Sequence, residues 1–320
     1  LLDSDARTSN STLAKKLKTS DEVVHYRINR LIASKYVKKF YTIINVAKIG
    51  YYSFKLYLNY QNLNPEMEGK IIDYCKTHPL VFWVATSSGK WEFMIGVWVR
   101  NAVEFYQDFL EDFLNNFGKY VHERAITTTL NNRQWSRSWF VKDSIERTSS
   151  LVGGIPENIK LDSHDTLILE NLANNARLPV AELAKQIGTT PAIVSGHLKN
   201  LMKNGIIQSF RISIDTSVFG YEFCKAFITL DNFTLEKKRM LIEWCKQQKS
   251  VLNVVECIGA WDIEIECEVE DFQKFYEIMK RIKEEFSDIV KSYDSVLMSK
   301  EPRVDFFPGC KPNLMTQNSG

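Results

Sequence analysis

The sequence predicts an α+β chain of two tandem units, each a winged helix-turn-helix followed by a ferredoxin-like βαββαβ domain. Three observations predict it. Residues 183–207, LAKQIGTTPAIVSGHLKNLMKNGII, read as two short helices joined by a tight turn. The same pattern stands at residues 13–37, LAKKLKTSDEVVHYRINRLIASKYV, an offset of 183 − 13 = 170. After each of them, strand-like and helix-periodic runs follow in the order strand, helix, strand, strand, helix, strand.

Within the second helix pair, Leu183, Ala184 and Ile187 keep one helix face apolar. Gly188 ends that helix, Thr190 is a good N-cap, and Pro191 fits the first helical position, where its missing N–H costs nothing. Ile193 or Val194, Leu198 and Leu201 are the inward positions of the next helix, which stops near Asn204-Gly205. The repeat runs without a gap over its first hundred residues. Ala6-Arg7 matches Ala176-Arg177, Gly50-Tyr51 matches Gly220-Tyr221, Cys75 matches Cys245, and Gly89 and Trp91 match Gly259 and Trp261. In copy two an amphipathic helix over Leu161–Asn174 precedes the pair; in copy one only its last residues remain, so that helix is expected to be truncated.

β-branched and aromatic runs at Val37–Asn45 and Ile206–Asp215 are strand-like. In copy one the βαββαβ elements are Ser53–Asn59, Glu66–Thr77, Leu80–Thr86, Glu92–Val99, Ala102–Asn116 and Tyr120–Thr129. In copy two they are Cys224–Leu230, Leu235–Gln247, Leu252–Cys257, Asp262–Val269, Phe272–Phe286 and Val290–Met298. The expected divisions are 1–50 and 161–220 for the winged helix-turn-helices and 51–130 and 221–302 for the ferredoxin-like domains. The remainder is a linker at 131–160, flexible from Ser149 to Pro156, and a tail at 303–320. Trp135, Trp139 and Phe140 suggest that the first half of the linker docks on a domain. Each sheet has an uncovered face of large residues, expected to pair with another sheet.

The totals are those of a globular chain, 44% hydrophobic and 25% charged, with no apolar run of membrane-spanning length. Six cysteines without a CxxC pair read as reduced, buried residues of a cytoplasmic protein, with no metal or cofactor expected. The net charge of +2 hides an uneven distribution. Residues 1–50 hold ten Lys/Arg and four Asp/Glu, 10 − 4 = +6, whereas residues 161–220 balance at 5 − 5 = 0. The two segments that follow are acidic, at 7 − 9 = −2 for 51–130 and 12 − 16 = −4 for 221–300. A basic patch on the first helix-turn-helix is what phosphate contact requires.

The combination of Ala176-Arg177, Glu182-Leu183-Ala184, Thr190, Val194, Leu198, Leu201, Gly205-Ile206-Ile207, Gly220-Tyr221 and Gly259-Ala260-Trp261-Asp262 resembles the Lrp/AsnC (feast/famine) family of transcription regulators. Copy one carries Ala6-Arg7, Leu13-Ala14, Ser20, Val24, Arg27-Ile28, Arg30-Leu31, Gly50-Tyr51 and Gly89-Lys90-Trp91-Glu92. The tandem looks like the less common, largely archaeal version. The resemblance implies double-stranded DNA as partner and pairing of the C-terminal domains, here as an intrachain pseudo-dimer or a homodimer. It also implies a possible amino-acid effector at Gly89, Trp91, Glu92, Gly259, Trp261 and Asp262. Copy two departs in having Gly196 within the helix and His197 where copy one has Arg27.

With Val24 inward, Glu22, Tyr26 and Asn29 point outward, flanked by His25 and Arg30. Asn29 suits adenine and Arg30 guanine or a phosphate. Ser20, Arg27, Lys35, Lys38 and Lys39 suit backbone contacts; the copy-two candidates are Thr190, Ser195, His197, Lys199, Asn200 and Lys203. No second His or Cys lies at i+3 or i+4 of either histidine, which argues against a metal. Siroheme decarboxylases also look like paired Lrp/AsnC units and need basic and histidine residues around a tetrapyrrole. Only His78 and His122 fall in the acidic domains, so the expectation is a regulator and not an enzyme. A non-DNA-binding sensor module is the remaining alternative, and the +6 segment argues against it.

Overall fold

The structure, a computed structural model, describes residues 1–139 and 147–308; Phe140 and the expected polar end at 311–320 lie outside the described residues. Copy one comprises α1 (Asn10–Leu17), α2 (Asp21–Ala33), β1 (Val37–Ile44), β2 (Tyr52–Tyr60), α3 (Pro65–Thr77), β3 (Val81–Gly89) and β4 (Phe93–Val99). It ends with α4 (Ala102–Phe105), a π turn, α5 (Glu111–Phe117) and β5 (Val121–Trp135). A short β6 (Ser149–Gly153) leads into α6 (Ser163–Ala173), α7 (Val180–Gln186), α8 (Pro191–Lys203), β7 (Ile207–Ile214) and β8 (Glu222–Leu230). Then come α9 (Leu235–Gln247), β9 (Val251–Gly259), β10 (Ile263–Val269), α10 (Phe272–Glu285) and β11 (Val290–Val304). None of the described helices is long and apolar enough to cross a membrane.

The first finding concerns the wings, whose strands meet across the two copies: β1 pairs antiparallel with β7, from Val37 opposite Ile214 to Ile44 opposite Ile207. The two helix-turn-helices thus share one two-stranded sheet and one core, in which Val24, Ile28 and Phe40 meet Leu172, Leu198 and Phe210. Reciprocal arginines fasten the joint. Arg7 donates to the carbonyls of Ala176 (2.6 Å) and Leu178 (3.1 Å), and Arg177 donates to those of Ala6 (2.6 Å) and Thr8 (3.0 Å).

The second correction concerns the sheets. Each copy has its own antiparallel run, β5-β2-β4-β3 and β11-β8-β10-β9, with helices on one face. The expected arrangement was two separate sheets with their open faces packed. Instead β3 pairs with β11 and β5 with β9, so eight strands close edge to edge into one barrel. The physical reason is strand length. β5 and β11 have 15 residues each, running past the expected ends at Thr129 and Met298. β5 can therefore pair with β2 over Val121–Thr129 and with β9 over Thr127–Gln134. Closure leaves no open edge among these eight strands.

Alternation along the strands sorts the side chains. Leu56, Ile95, Phe109 and Phe113 pack between sheet and helices in copy one, and Ile228, Ile265, Leu241 and Phe275 do so in copy two. The opposite faces fill the barrel with Tyr57, Trp83, Trp91, Met94, Phe227, Trp261 and Val296. Charge is enclosed there too. Glu264, fully buried, accepts from Lys55 Nζ (2.6 Å), Lys225 Nζ (3.2 Å), Trp261 Nε1 (3.3 Å) and the Tyr57 hydroxyl. Lys225 also pairs with Glu266 at 2.8 Å.

Two further boundaries change. The expected flexible stretch from Ser149 is β6, hydrogen-bonded to the far end of β5 and held to β7 by buried Arg211, which donates to Thr148 and Ser150. Trp135 is buried, and Arg137 joins Asp3 and Glu268, each at 2.9 Å, so the described residues before 140 are held by ion pairs that the sequence alone does not announce. Residues 303–308 are not a free tail either. Arg303 donates to the carbonyls of Cys75 and His78 (2.9 Å each), closing the end of α3; Phe306 stacks on Tyr41 at 4.0 Å and Phe307 is buried. Cys75, Cys224, Cys245, Cys257 and Cys267 are buried free thiols; burial pushes Cys75 and Cys224 up to about 12.

Candidate nucleic-acid interface

The α2 helix starts on Ser20, whose side chain accepts from Val23 N at 3.4 Å. That contact commits the Ser20 hydroxyl to the cap, and a hydrogen bond from it holds Glu22 below the usual carboxylate range. Val24 and Ile28 face the core, and Glu22, His25, Tyr26, Arg27, Asn29 and Arg30 are all exposed. Tyr26 is 64% exposed, an unusual position for an aromatic ring unless something stacks on it. His25 Nε2 and Asn29 Nδ2 lie 3.0 Å apart, so the two side chains that flank the outward ridge hold one another's orientation. Leu31, expected inward, is 39% exposed, whereas its counterpart Leu201 is 2% exposed beneath α6; residues 1–9 form no such covering helix.

Around this ridge, Lys35 takes a positive φ of 59° just after α2 and is exposed. Lys38 is also exposed, 3.3 Å from Asp215 on the other copy. Lys39 differs from what its sequence position suggests. Its Nζ reaches inward to the Val304 carbonyl (2.5 Å) and Asn174 Oδ1 (3.2 Å) and lies over the Phe306 ring, and partial burial lowers its pKa. It is turned toward the end of the chain because β1 lies in the sheet shared with β7.

On α8, Thr190 Oγ1 caps Ile193 N at 3.4 Å, and Ser195 Oγ donates back to the Pro191 carbonyl at 2.7 Å. Lys199, Asn200 and Lys203 are exposed. His197 is not part of the outward ridge: Nδ1 lies 2.8 Å from Asp165 Oδ1 and 3.8 Å from Asp162 Oδ2, and its ring is 5.3 Å from that of His164. Spacing along the sequence missed this grouping, because its members come from two helices; the Arg-to-His departure between the copies was its only sequence signal.

The glycine loops are built as joints between the copies. A Cβ on Gly89 would stand 2.5 Å from the Ser295 carbonyl, and one on Gly259 would stand 2.3 Å from that of Ile126. Both glycines have positive φ, 128° and 134°. Lys90 N donates to Ser295 O and Ala260 N to Ile126 O, so each loop is hydrogen-bonded to the other copy's long strand. Trp91 and Trp261 are buried, with centroids 6.0 Å apart. Glu92 accepts from Tyr60 N and Asp262 from Leu230 N, both at 2.8 Å, so the two acids serve as backbone acceptors at the ends of β2 and β8.

A family model described as winged helix-turn-helix DNA-binding matches residues 1–38 and 161–208. An uncharacterised helix-turn-helix-type transcriptional regulator of Pyrococcus furiosus is 27% identical over 128 residues, 39% of this chain and 82% of that protein. The regulatory protein AsnC of Escherichia coli is 39% identical over 66 residues, 21% of this chain and 43% of that protein. Among solved structures, the siroheme decarboxylase NirDL is similar over 94% of this chain and 89% of its own, with a TM-score of 0.61 at 11% identity. Its complex with an iron-uroporphyrin III analogue gives 0.63 over 96% and 92%. At such identity the likeness concerns the fold alone. It nevertheless corrects one expectation: the architecture that spans nearly the whole chain is also that of an enzyme, so the expectation that the chain is not an enzyme is overturned.

Proposed function

We propose that the chain, which is similar to Lrp/AsnC regulators and carries two such units in tandem, binds double-stranded DNA sequence-specifically, with α2 as the principal reading helix. One observation carries the reading. The exposed ridge of α2 presents Tyr26, Asn29 and Arg30 within the segment of net charge 10 − 4 = +6. Asn29 and Arg30 are side chains that match base edges in the major groove, while Arg27, Lys35 and Lys38 suit phosphates. On α8 the corresponding ridge offers Lys199, Asn200 and Lys203 with less charge, so copy two adds affinity without dominating it. Selection from random duplex DNA, followed by binding of wild type and Asn29→Ala to the selected site, tests the reading. A chain that enriches no sequence, or that binds the selected duplex no more tightly than a scrambled control, sinks it.

Each copy is further read as a ferredoxin-like βαββαβ unit, the two closing on one another within one chain. The support is charge. Lys55 and Lys225 are equivalent positions (225 − 55 = 170), but the carboxylates between them, Glu264 and Glu266, stand where copy one has Met94 and Gly96. Pairing copy one with a second copy one would bury two lysines with no acid; pairing copy two with itself would bury four acids with two lysines. Buried charge demands a partner, so the unlike pairing is the stable one. The Gly-x-Trp-acid loops act as joints of this assembly, and an amino-acid effector bound there would need the space that Trp91 and Trp261 fill. Thermal shift with the twenty amino acids tests that reading, and a saturable stabilisation abolished by Asp262→Ala would reverse it.

The full-length likeness to the decarboxylase favours a second reading, a tetrapyrrole-binding enzyme. His78 and His122 do not converge: His78 lies against Asp108 and Phe109, while His122 is exposed on β5. A visible absorption spectrum with siroheme separates the readings. A shifted, saturable spectrum supports the enzyme, and an additive spectrum supports the regulator.

A further inference from the structure

The second helix-turn-helix holds a cluster that the DNA reading does not use. Asp162, His164 and His197 each offer one ligand atom, and these atoms all lie within 4.8 Å of one another. His164 and Asp162 belong to the start of α6, and His197 to the middle of α8. Asp165, on the first turn of α6, stands 2.8 Å from His197 Nδ1 and orients that ring. We propose that these residues bind a divalent transition-metal ion that staples α6 to the recognition helix α8.

The donor set is the argument for the metal class. Two imidazoles and one carboxylate, with a fourth position left to solvent, suit zinc, cobalt or nickel, and are too rich in nitrogen for calcium or magnesium. A tetrahedral site with metal–ligand bonds of about 2.1 Å has donor atoms about 3.4 Å apart. Contraction from 4.8 Å is within the reach of side-chain rotation, because the Asp162 side chain is 58% exposed and that of His197 is 22% exposed. One feature opposes a cation: the N-terminus of α6 carries about half a positive charge. Two full carboxylate charges at the same place outweigh it. Asp162 already spends Oδ1 on Asp165 N as the helix cap, which leaves Oδ2 as its donor. Asp165 holds the His197 ring toward the site before any ion arrives, the role of a carboxylate behind a metal-bound histidine.

Copy one differs at the α8 position of the cluster, where Arg27 stands in place of His197. The ion would tighten α8 on the helix that covers Leu201. The proposal is independent of the DNA reading, and its test does not use DNA. Titrating the full chain with cobalt(II) should give visible d–d absorption that saturates at one ion per chain and is displaced by zinc. His164→Ala and His197→Gln should each weaken binding at least tenfold, while Asp231→Asn, an exposed carboxylate elsewhere, should leave it unchanged. Zinc should raise the melting temperature of wild type and not of His164→Ala, whose circular dichroism reports whether it still folds. An unsaturable spectrum, or one retained in both histidine variants, would overturn the assignment.

Discussion

The sharpest energetic claim concerns Glu264 inside the barrel. Its carboxylate lies 2.6 Å from Lys55 Nζ and 3.2 Å from Lys225 Nζ, with no exposed surface on Glu264 or the Lys225 side chain. Burial alone would raise its pKa, but the two ammonium groups and the Tyr57 hydroxyl hold it down at about 2. Glu264→Gln keeps the shape and removes the charge, leaving two lysines to share Glu266. Breaking a buried pair in this way costs about 3–5 kcal/mol. At roughly 2–3 °C per kcal/mol for a chain of this size, the melting temperature should fall by roughly 6–15 °C in differential scanning calorimetry. Replacing Glu264, Glu266, Lys55 and Lys225 together by Met should recover most of the loss, since the whole buried network is then removed and none of its charges is left unpaired. The pH profile has a definite sign. A carboxylate depressed in the folded state contributes stability above its unfolded pKa of about 4.3, and loses it as pH falls toward about 2. Wild type should therefore lose stability over that window more steeply than the chain with all four positions replaced by Met. A Glu264→Gln chain that melts within about 1 °C of wild type would mean that the network contributes less than about 0.5 kcal/mol, and the pairing argument would fail with it.

Three other outcomes follow from the same geometry. Charge reversal of Arg27 and Lys35 should weaken binding to all duplexes and flatten the salt dependence by up to about two units of slope, whereas Asn29→Ala should cost about 1–3 kcal/mol at one base pair of the selected site; fluorescence anisotropy at several salt concentrations reads both. Light scattering should give a monodisperse species at 37.1 kDa, with a species of twice that mass contradicting intrachain closure. Gly259→Ala should destabilise by more than about 1 kcal/mol because of its φ of 134° and the carbonyl 2.3 Å away, while Gly196→Ala, with nothing within 4 Å and a helical backbone, should stabilise by about 0.5–1 kcal/mol in a urea melt.

What the sequence made legible was local. The helix-turn-helices follow from caps and apolar spacing, and both appear within a residue or two of where Ser20, Thr190 and Pro191 put them. The strands and helices of each copy were likewise readable from period. Barrel closure was not, because it depends on which edges meet: Thr127 opposite Gly259 and Val296 opposite Gly89 are pairings that no window of sequence contains. The ends of β5 and β11 were misjudged for the same reason, since Asn131, Asn132 and Arg133 look like linker until β6 and β9 supply partners on either side. The Lys55–Glu264 pair spans 209 residues. Its only trace in the sequence is that alternation put charged residues on what should have been an apolar face.

That trace bears on how the duplicated halves came to depend on one another. Where the copies agree, at Ala6/Ala176, Arg7/Arg177 and Gly89/Gly259, the residues make reciprocal contacts across the joint, so either copy could play either part. Where they disagree, the residues are complementary. Met94 and Gly96 leave room for Glu264 and Glu266 to reach both lysines, and Trp83 lies beside Lys225 at 4.7 Å, while its counterpart Asn253 donates to Glu266. A symmetric pair of identical units cannot use a residue that is small on one side and charged on the other; a tandem chain can. Charge placed on one half alone converts a joint that would accept two like units into one that accepts only unlike units. The same freedom lets copy one carry the basic ridge while copy two carries His197 where copy one has Arg27. An assembly of identical single units would have to place every such feature twice.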